Sequence, residues 1–309
     1  MIKGWFISDV KGSHTEQKFL SMKVPNIDLV HLEDIELVAD YNHPNQLLIA
    51  GQWIEKPDFI ICTLESVLHE DRSYVYTISH LLDQLESMGV YCFPNPEFVH
   101  KSGDKFRTAQ LLAQAGVPTP RTYILTQKSN PSFIAKELGL PVVVKTPNGS
   151  KGQGISLAHN VDELNALMQA ELKQPADILL VQEFIATSKG RDVRVTLADG
   201  ELVFSLLRDN TKNGDFRSNV ALGGIASVIE PSEQMVDIAR RAAKALSADW
   251  CGVDLLFAEN GFMVGEVNSF PGTVDNMCYK GEDLNLRYIR MLMGMIAKKV
   301  AEKKQKNDE

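Results

Sequence analysis

The stretch GVDLLFAENGFMVGEVNSFPG, from Gly252 to Gly272, restricts this chain more than any other. Two apolar runs flank a turn, as in a hairpin packed on a core, yet Asp254, Glu266 and Asn268 interrupt them. If Glu259-Asn260-Gly261 forms a three-residue loop with Gly261 left-handed, Ala258 pairs with Phe262 and Asp254 falls opposite Glu266. A two-residue Asn-Gly loop sends the two carboxylates to opposite faces, because a slip of one residue reverses the face. Asn268, two residues beyond Glu266, shares its face. Adjacent carboxylates repel, and burying them without a cation costs several kcal/mol. A hard divalent cation removes that cost, and an all-oxygen donor set suits Mg²⁺ or Mn²⁺ rather than zinc. The competing reading is a pair of exposed edge residues beside a turn-forming asparagine.

The rest of the chain places this hairpin in a larger plan. In the first ninety or so residues WFISDV, IDLVHL, DFIIC and VYCFPN read as buried strands, and YVYTISHLLDQLESMG carries helical spacing up to Gly89. Together they predict a small α/β layer with a parallel sheet. Beyond PNPEF, Asp104 caps KFRTAQLLAQAG, Asn130 with Pro131 opens a helix that stops at Gly139, and Asn160 caps VDELNALMQAEL. PVVVK and ISLA are strands around the polar turn TPNGSKGQG. From ILLVQEFI onward the strands lengthen and become antiparallel in character, with Asp199-Gly200 as a hairpin turn. Ser232 starts an amphipathic helix to about Leu246. At 309 residues the chain fits two or three modules; the pattern sets them at 1–97, 98–180 and 181–309.

Composition excludes several function classes. The net charge of −8 opposes a phosphodiester backbone, which argues against general nucleic-acid binding. No run approaches the ~20 apolar residues of a membrane span, and MIKGWFISDV is too short an apolar start for a signal peptide. Cys62, Cys92, Cys251 and Cys278 stand far apart, which fits reduced thiols and a cytoplasmic setting rather than a zinc ribbon. The end, KKVAEKKQKNDE, reads as a solvated helix fraying into disorder. The methionines of YIRMLMGMIAKKV suit core packing or a subunit contact in a homo-oligomer.

Lys145, at the end of a strand, precedes GSKGQG. Glycine lets backbone N–H groups approach phosphate oxygens, and lysine adds a point charge. The spacing is neither a Walker loop nor a dinucleotide fingerprint. A glycine-bearing turn between two strands is a geometry that folds over nucleotide phosphates from above, although a plain surface hairpin has the same composition.

The order of these features is specific. Lys105, Lys145 with its turn, VQEFI, the pair Asp192 and Arg194, GDFRSN, and Asp254 followed by Glu266-Val267-Asn268 together resemble the ATP-grasp superfamily. VQEFI, GDFRSN…GG and GVDLL…VGEVN…PG are most similar to the ribosomal protein S6 modification (RimK-type) family of α-L-glutamate ligases, over roughly Phe98 to Gly272. The resemblance implies an α/β and α+β enzyme, an ATP-grasp fold behind a Rossmann-like amino-terminal domain, that clamps ATP between two lobes. It implies phosphate contacts from Lys105 and Lys145, a lid turn of Ser150, Gly152 and Gly154, and adenine contacts from Glu183, Phe184 and Ile185. Asp192 and Arg194 would lie near the nucleotide, with Asp192 by the ribose. Arg217, Ser218 and Asn219 would face the phosphate and acyl groups, Arg217 and Asn219 in catalytic roles, and Asp254, Glu266 and Asn268 would hold two Mg²⁺ or Mn²⁺ ions. The partners implied are ATP, a carboxylate substrate and an amine acceptor. The reaction implied is ADP-forming ligation through an acyl phosphate, of which addition of L-glutamate to a peptide or small molecule is one case. Its rivals are a ligase for another amino acid and a biosynthetic intermediate or carrier protein, an ATP-grasp kinase, and a non-catalytic ATP-binding regulator.

Two segments depart from that family. After Asn268 the chain reads SFPGTVDNMCYKG where the family has ASPG and a different continuation, and CTLESV stands where it usually carries Pro-Arg. Both fall where acceptor choice is expected.

Overall fold

Short β-branched and aromatic runs separated by capped helices build a molecule of two units, Met1–His100 with Tyr288–Glu309, and Lys101–Arg287. The computed structural model describes residues 2–42, 46–63, 72–147, 154–272 and 275–308. Among them no helix is long and apolar enough to cross a membrane.

In the first unit, β1 (Gly4–Ser8) leads through α1 (His14–Ser21) to β2 (Ile27–His31). Three short antiparallel strands follow, β3 (Ile35–Leu37), β4 (Leu47–Ile49) and β5 (Gln52–Trp53). The sequence pattern does not announce them, since each is too short to show a period. Then come β6 (Phe59–Cys62), α2 (Arg72–Ser87), β7 (Tyr91–Phe93) and α3 (Pro96–Ser102). The four longer-range strands form the expected parallel sheet in the order β2-β1-β6-β7. Ile7, Ile60 and Cys62 pack with Ile78, Leu81, Leu82 and Leu85 of α2 in one apolar cluster. All four cysteines are free thiols, and burial pushes that of Cys251 up to about 12.

The second unit holds two large antiparallel sheets and the short antiparallel pair of Cys278–Tyr279 with Glu282–Asp283. The first comprises β8 (Thr122–Leu125), β9 (Val142–Lys145), β10 (Ile155–Ala158) and β11 (Leu179–Glu183), in the order β10-β9-β11-β8. Its helices are α4 (Lys105–Gln114), α5 (Pro131–Leu138) and α6 (Val161–Glu171). Each begins where a side-chain oxygen takes up orphan N–H groups: Asp104 accepts from Phe106 and Arg107, Asn130 from Phe133 and Asn160 from Glu163.

The second sheet comprises β12 (Arg191–Ala198), β13 (Glu201–Asp209), β14 (Ile225–Val228), β15 (Trp250–Ala258) and β16 (Gly261–Asn268), in the order β14-β13-β12-β15-β16. One side carries α7 (Glu233–Ala245), capped by Ser232. Asp199 and Gly200 both take positive φ, 48° and 80°, as a type I′ turn requires. The chain continues through β17 (Cys278–Tyr279) and β18 (Glu282–Asp283) into α8 (Leu284–Asp308).

Two expectations need correction. The final segment does not fray after the methionines: α8 runs to Asp308. Its Lys303 donates to the Val90 carbonyl and its Lys304 pairs with Asp58 at 2.6 Å, so the helix from Tyr288 onward groups with the first unit. Met295 is buried there beside Leu292 and Ile296. The β15–β16 hairpin also closes differently from the three-residue loop expected. Ala258 pairs with Gly261, leaving a two-residue loop of Glu259 and Asn260. That register alone would set Asp254 against Gly265. Instead Leu255 pairs with Val264, the ladder slips, and Asp254 stands opposite Glu266, with Gly265 as the extra residue of a β-bulge. A Cβ on Gly265 would come within 3.1 Å of Leu256 Cγ, which explains a residue without a side chain there.

Candidate active site

The bulge places Asp254 and Glu266 side by side, but their surroundings differ. Asp254 is buried and Glu266 exposed. Across the β12–β15 ladder Arg194 lies opposite Asp254 and grips it with two bonds, Nε to Oδ1 at 2.7 Å and Nη2 to Oδ2 at 2.8 Å. Arg208 Nη2 reaches Asp254 Oδ2 at 2.8 Å, while its Nε donates to Asp192 Oδ1 at 2.7 Å. Ser218 Oγ donates to Asp192 Oδ2 at 2.6 Å. A continuous chain of Ser218, Asp192, Arg208, Asp254 and Arg194 therefore crosses three strands and ends in the polar loop after β13.

These contacts set the charges. Burial would push Asp254 up, but the guanidinium groups of Arg194 and Arg208 outweigh it and hold the carboxyl at about 2. Burial and the neighbouring Asp254 charge push Asp192 above the ordinary carboxylate range, against the pull of Arg208 and Ser218. Arg208 is shifted up, because the two carboxylates outweigh its burial.

Glu266 gathers a second group. Lys105, the first residue of α4, and Lys145, the last of β9, both lie in its field. Burial pulls both lysines below their ordinary range and the Glu266 charge opposes this. Lys145 Nζ donates to Gln182 Oε1 at 2.7 Å, and Gln182 in turn donates to Thr122 Oγ1 at 2.8 Å. Lys105 Nζ donates to the Pro147 carbonyl at 3.3 Å. Lys105, Lys145, Arg194 and Arg208 outnumber Asp192, Asp254 and Glu266, so the cluster suits a polyanion.

The donors also fit a hard divalent cation. Asp254 Oδ2 accepts hydrogen bonds from Arg194, Arg208 and Asn268, the last at 3.3 Å, whereas Oδ1 accepts one from Arg194 and keeps a lone pair. Because Asn268 turns its Nδ2 toward Asp254 and the Gly252 carbonyl, its Oδ1 is the atom left for a cation. With the open Glu266 carboxylate this makes an all-oxygen set. Among the described residues no group of three or more His, Cys, Asp or Glu could hold a metal, so such a set would be two carboxylates completed by other oxygens, the Asn268 amide among them.

The remaining expected residues are placed as follows. Ser150 and Gly152 lie outside the described residues. Gly154 is described, with φ +64°, and its carbonyl accepts from the Thr146 N–H at 2.9 Å. Glu183 ends β11, and its N–H already donates to the Arg121 carbonyl at 2.9 Å. Phe184 packs edge-on to Phe216 at 6.3 Å, and the Ile185 carbonyl accepts from Ser188. Asp192, expected beside a ribose, turns its carboxylate to Arg208 and Ser218. The Asn219 carbonyl accepts from the Leu222 and Gly224 N–H groups. Arg217 is held by Asp215, from Nε at 3.0 Å and Nη2 at 2.8 Å. Of CTLESV only Cys62 and Thr63 are described, and Thr273 and Val274 of the second departing segment fall outside.

Arg208, Gln182 and Asp215 escape the sequence reading. Arg208 reaches Asp192 only because β12 and β13 slip between Thr196 and Leu197; an unbroken ladder from Ala198 and Glu201 would set Asp192 against Leu207. Gln182 and Asp215 had a weak signal, since they lie inside the quoted motifs VQEFI and GDFRSN without a role being assigned to them.

Two antiparallel sheets, one bearing Lys145 with Lys105 on a helix beside it and the other bearing a carboxylate–amide hairpin, define a fold found among ATP-grasp ligases. The ATP-grasp ligase PsnB, solved with a minimal precursor, Mg and ADP, superposes with a TM-score of 0.66 at 17% identity, over 95% of this chain and 98% of that one. Residues 102–292 match the RimK-like ATP-grasp domain, and the chain belongs to that family of carboxylate–amine ligases. Among curated relatives, a probable α-L-glutamate ligase of Hydrogenovibrio crunogenus is 36% identical over 232 residues, 75% of this chain and 74% of that protein. Another, of Vibrio parahaemolyticus, is 35% identical over 202 residues, 65% of this chain and 66% of that protein.

Proposed function

We propose that this protein is an ATP-dependent, ADP-forming ligase that joins a carboxylate to an amine through an acyl phosphate, with L-glutamate the first substrate to test. The observation that carries this reading is that Lys105 and Lys145 lie in the field of Glu266, which stands opposite Asp254 with Asn268 two residues on. The names of its relatives favour glutamate. PsnB, which binds a precursor peptide, favours a peptide among the acceptors to test. The two larger sheets of the second unit support two ATP-grasp lobes within Lys101–Arg287, dividing after β11 rather than at residue 180, whereas residues 288–309 group with the first unit.

In this reading Lys105 and Lys145 neutralise the β- and γ-phosphates of ATP. Glu183, Phe184 and Ile185 line the adenine. Glu266, Asn268 and Asp254 Oδ1 would hold Mg²⁺, which supplies charge neutralisation during phosphoryl transfer. Arg194 and Arg208 fix Asp254, and Asp192 braces Arg208 against Ser218. The substrate carboxylate oxygen attacks the γ-phosphorus, the bond to the β–γ bridging oxygen breaks, and ADP leaves. The amine then attacks the acyl carbon, loses a proton and expels inorganic phosphate, giving the amide. Arg217 and Asn219 face the oxyanion that forms between these two events.

The test is ADP release screened across amino acids and acceptors, with hydroxylamine as a trap and mass spectrometry of the products. A hydroxamate of the activated acid, formed only with Mg²⁺ or Mn²⁺, is expected. A phosphorylated alcohol as the sole product would make the protein a kinase, and full activity in a chelator would remove the metal from the scheme.

A further inference from the structure

Resting on that reading, the geometry points to Asp215 as a positioning residue that aims the Arg217 guanidinium at the reacting centre. The chain around Arg217 is tied at three successive residues, by two backbone carbonyls and one side-chain hydroxyl. The Phe216 carbonyl accepts from Gly190 N–H at 2.9 Å, the Arg217 carbonyl from Asn210 Nδ2 at 3.0 Å, and Ser218 Oγ is tied to Asp192. None of these bonds sets the direction of the Arg217 side chain, which has four torsions and is only partly buried.

Asp215 does set it. Its Oδ1 accepts from the Arg217 N–H at 2.8 Å and from Nε at 3.0 Å, and its Oδ2 accepts from Nη2 at 2.8 Å. One carboxylate therefore clasps both the backbone and the guanidinium edge of the residue two places along. The Phe216 ring lies 5.7 Å from the guanidinium carbon and supports the same placement. A planar fork held by Nε and Nη2 presents its far edge in a fixed direction. An arginine oriented before the reaction stabilises growing negative charge without first being ordered. The reciprocal shifts fit this pairing: Asp215 raises Arg217, and the hydrogen bond from Arg217 lowers Asp215.

A double-mutant cycle on ADP release tests the assignment, using Asp215→Ala, Arg217→Ala and the pair, with Asp215→Asn as the conservative variant. In the Arg217 background, Asp215→Ala should lower kcat about ten- to thirtyfold and move the KM for ATP less than about twofold. Asp215→Asn should fall between, since it keeps one acceptor without the charge. In the Arg217→Ala background the same change should alter kcat less than about twofold, because the residue acts through Arg217. An equal loss in both backgrounds would overturn the proposal by making Asp215 a structural residue. A gain in rate or affinity in Asp215→Ala would overturn it by making Asp215 a competitor for the fork. If the wild type releases no ADP with any acid, the ligase reading fails, and the orienting role is read separately in ¹⁵N spectra of arginine Nε–H groups. A sharp, shifted Arg217 resonance, assigned by its loss in Arg217→Lys, should collapse in Asp215→Ala; an unchanged resonance would overturn the assignment.

Discussion

At the scale of single residues, Arg208 carries the greatest structural consequence. It is the shared partner of Asp192 and Asp254, two buried carboxylates that otherwise repel one another. Removing one member of a buried charge network leaves the others uncompensated, a loss of about 3–5 kcal/mol. Arg208→Ala should therefore lower the unfolding free energy, measured by urea titration at neutral pH, by that amount. Arg208→Lys should recover only part, since an ammonium lacks the fork that spans two carboxylates. A loss below about 1 kcal/mol would show that the network contributes little to stability. Arg194 could be singled out from the sequence because, with Asp192, it belongs to the motif order that resembles the ATP-grasp superfamily. Arg208 could not, since its partner depends on the slip between Thr196 and Leu197.

At the scale of elements, the loop between β13 and β14 is held by close packing as well as by hydrogen bonds. A Cβ on Gly224 would meet the Ser218 carbonyl oxygen at 2.7 Å and that of Asn219 at 3.0 Å, both backbone atoms. Gly224→Ala must push this loop apart and draw Ser218 from Asp192. Such overpacking costs about 1–3 kcal/mol. It should depress ADP release well beyond what the fall in melting temperature explains. Gly214, with φ +73° and no atom within 4 Å of where a Cβ would stand, is the control: Gly214→Ala should cost about 1 kcal/mol of backbone strain. Equal activity in the two variants would argue against a role for the loop. The helix starts at Asp104, Asn130, Asn160 and Ser232 were legible because an N-cap is a local contact read from a few neighbouring residues. The three short strands between Ile35 and Trp53 were not, because strands this short carry no usable alternation.

At the scale of the whole molecule, the last helix returns to the first unit through Asp58. Burial pushes that carboxyl up, but Lys304 and the Lys3 N–H outweigh it and hold it below the ordinary range. A carboxyl lowered on folding contributes stability that is complete above about pH 4 and fades as the pH falls further. Lys304 is mostly exposed, so the pair is worth no more than about 1 kcal/mol. Asp58→Asn should lower the melting temperature by about 1–4 °C at pH 7 and by less at pH 3. A deficit that grows in acid would contradict the pairing.

The sequence by itself determined the parallel sheet of the first unit, the helix starts and the order of polar residues that marks a RimK-like ATP-grasp chain. The first two depend on composition, period or a contact within a few residues, and the third is a resemblance in motif order to that family. The pairing of Asp254 with Glu266 was expected from the hairpin, but only the folded chain fixed how the site's side chains come together. Asp254 faces Glu266 through a two-residue loop and a bulge at Gly265, where a three-residue loop was expected. A bulge is chosen by packing, here against Leu256, and leaves no periodic trace in the chain. The pairing of Arg208 with two carboxylates and the return of α8 to the first unit join residues far apart in sequence, and only the folded chain brings them within reach.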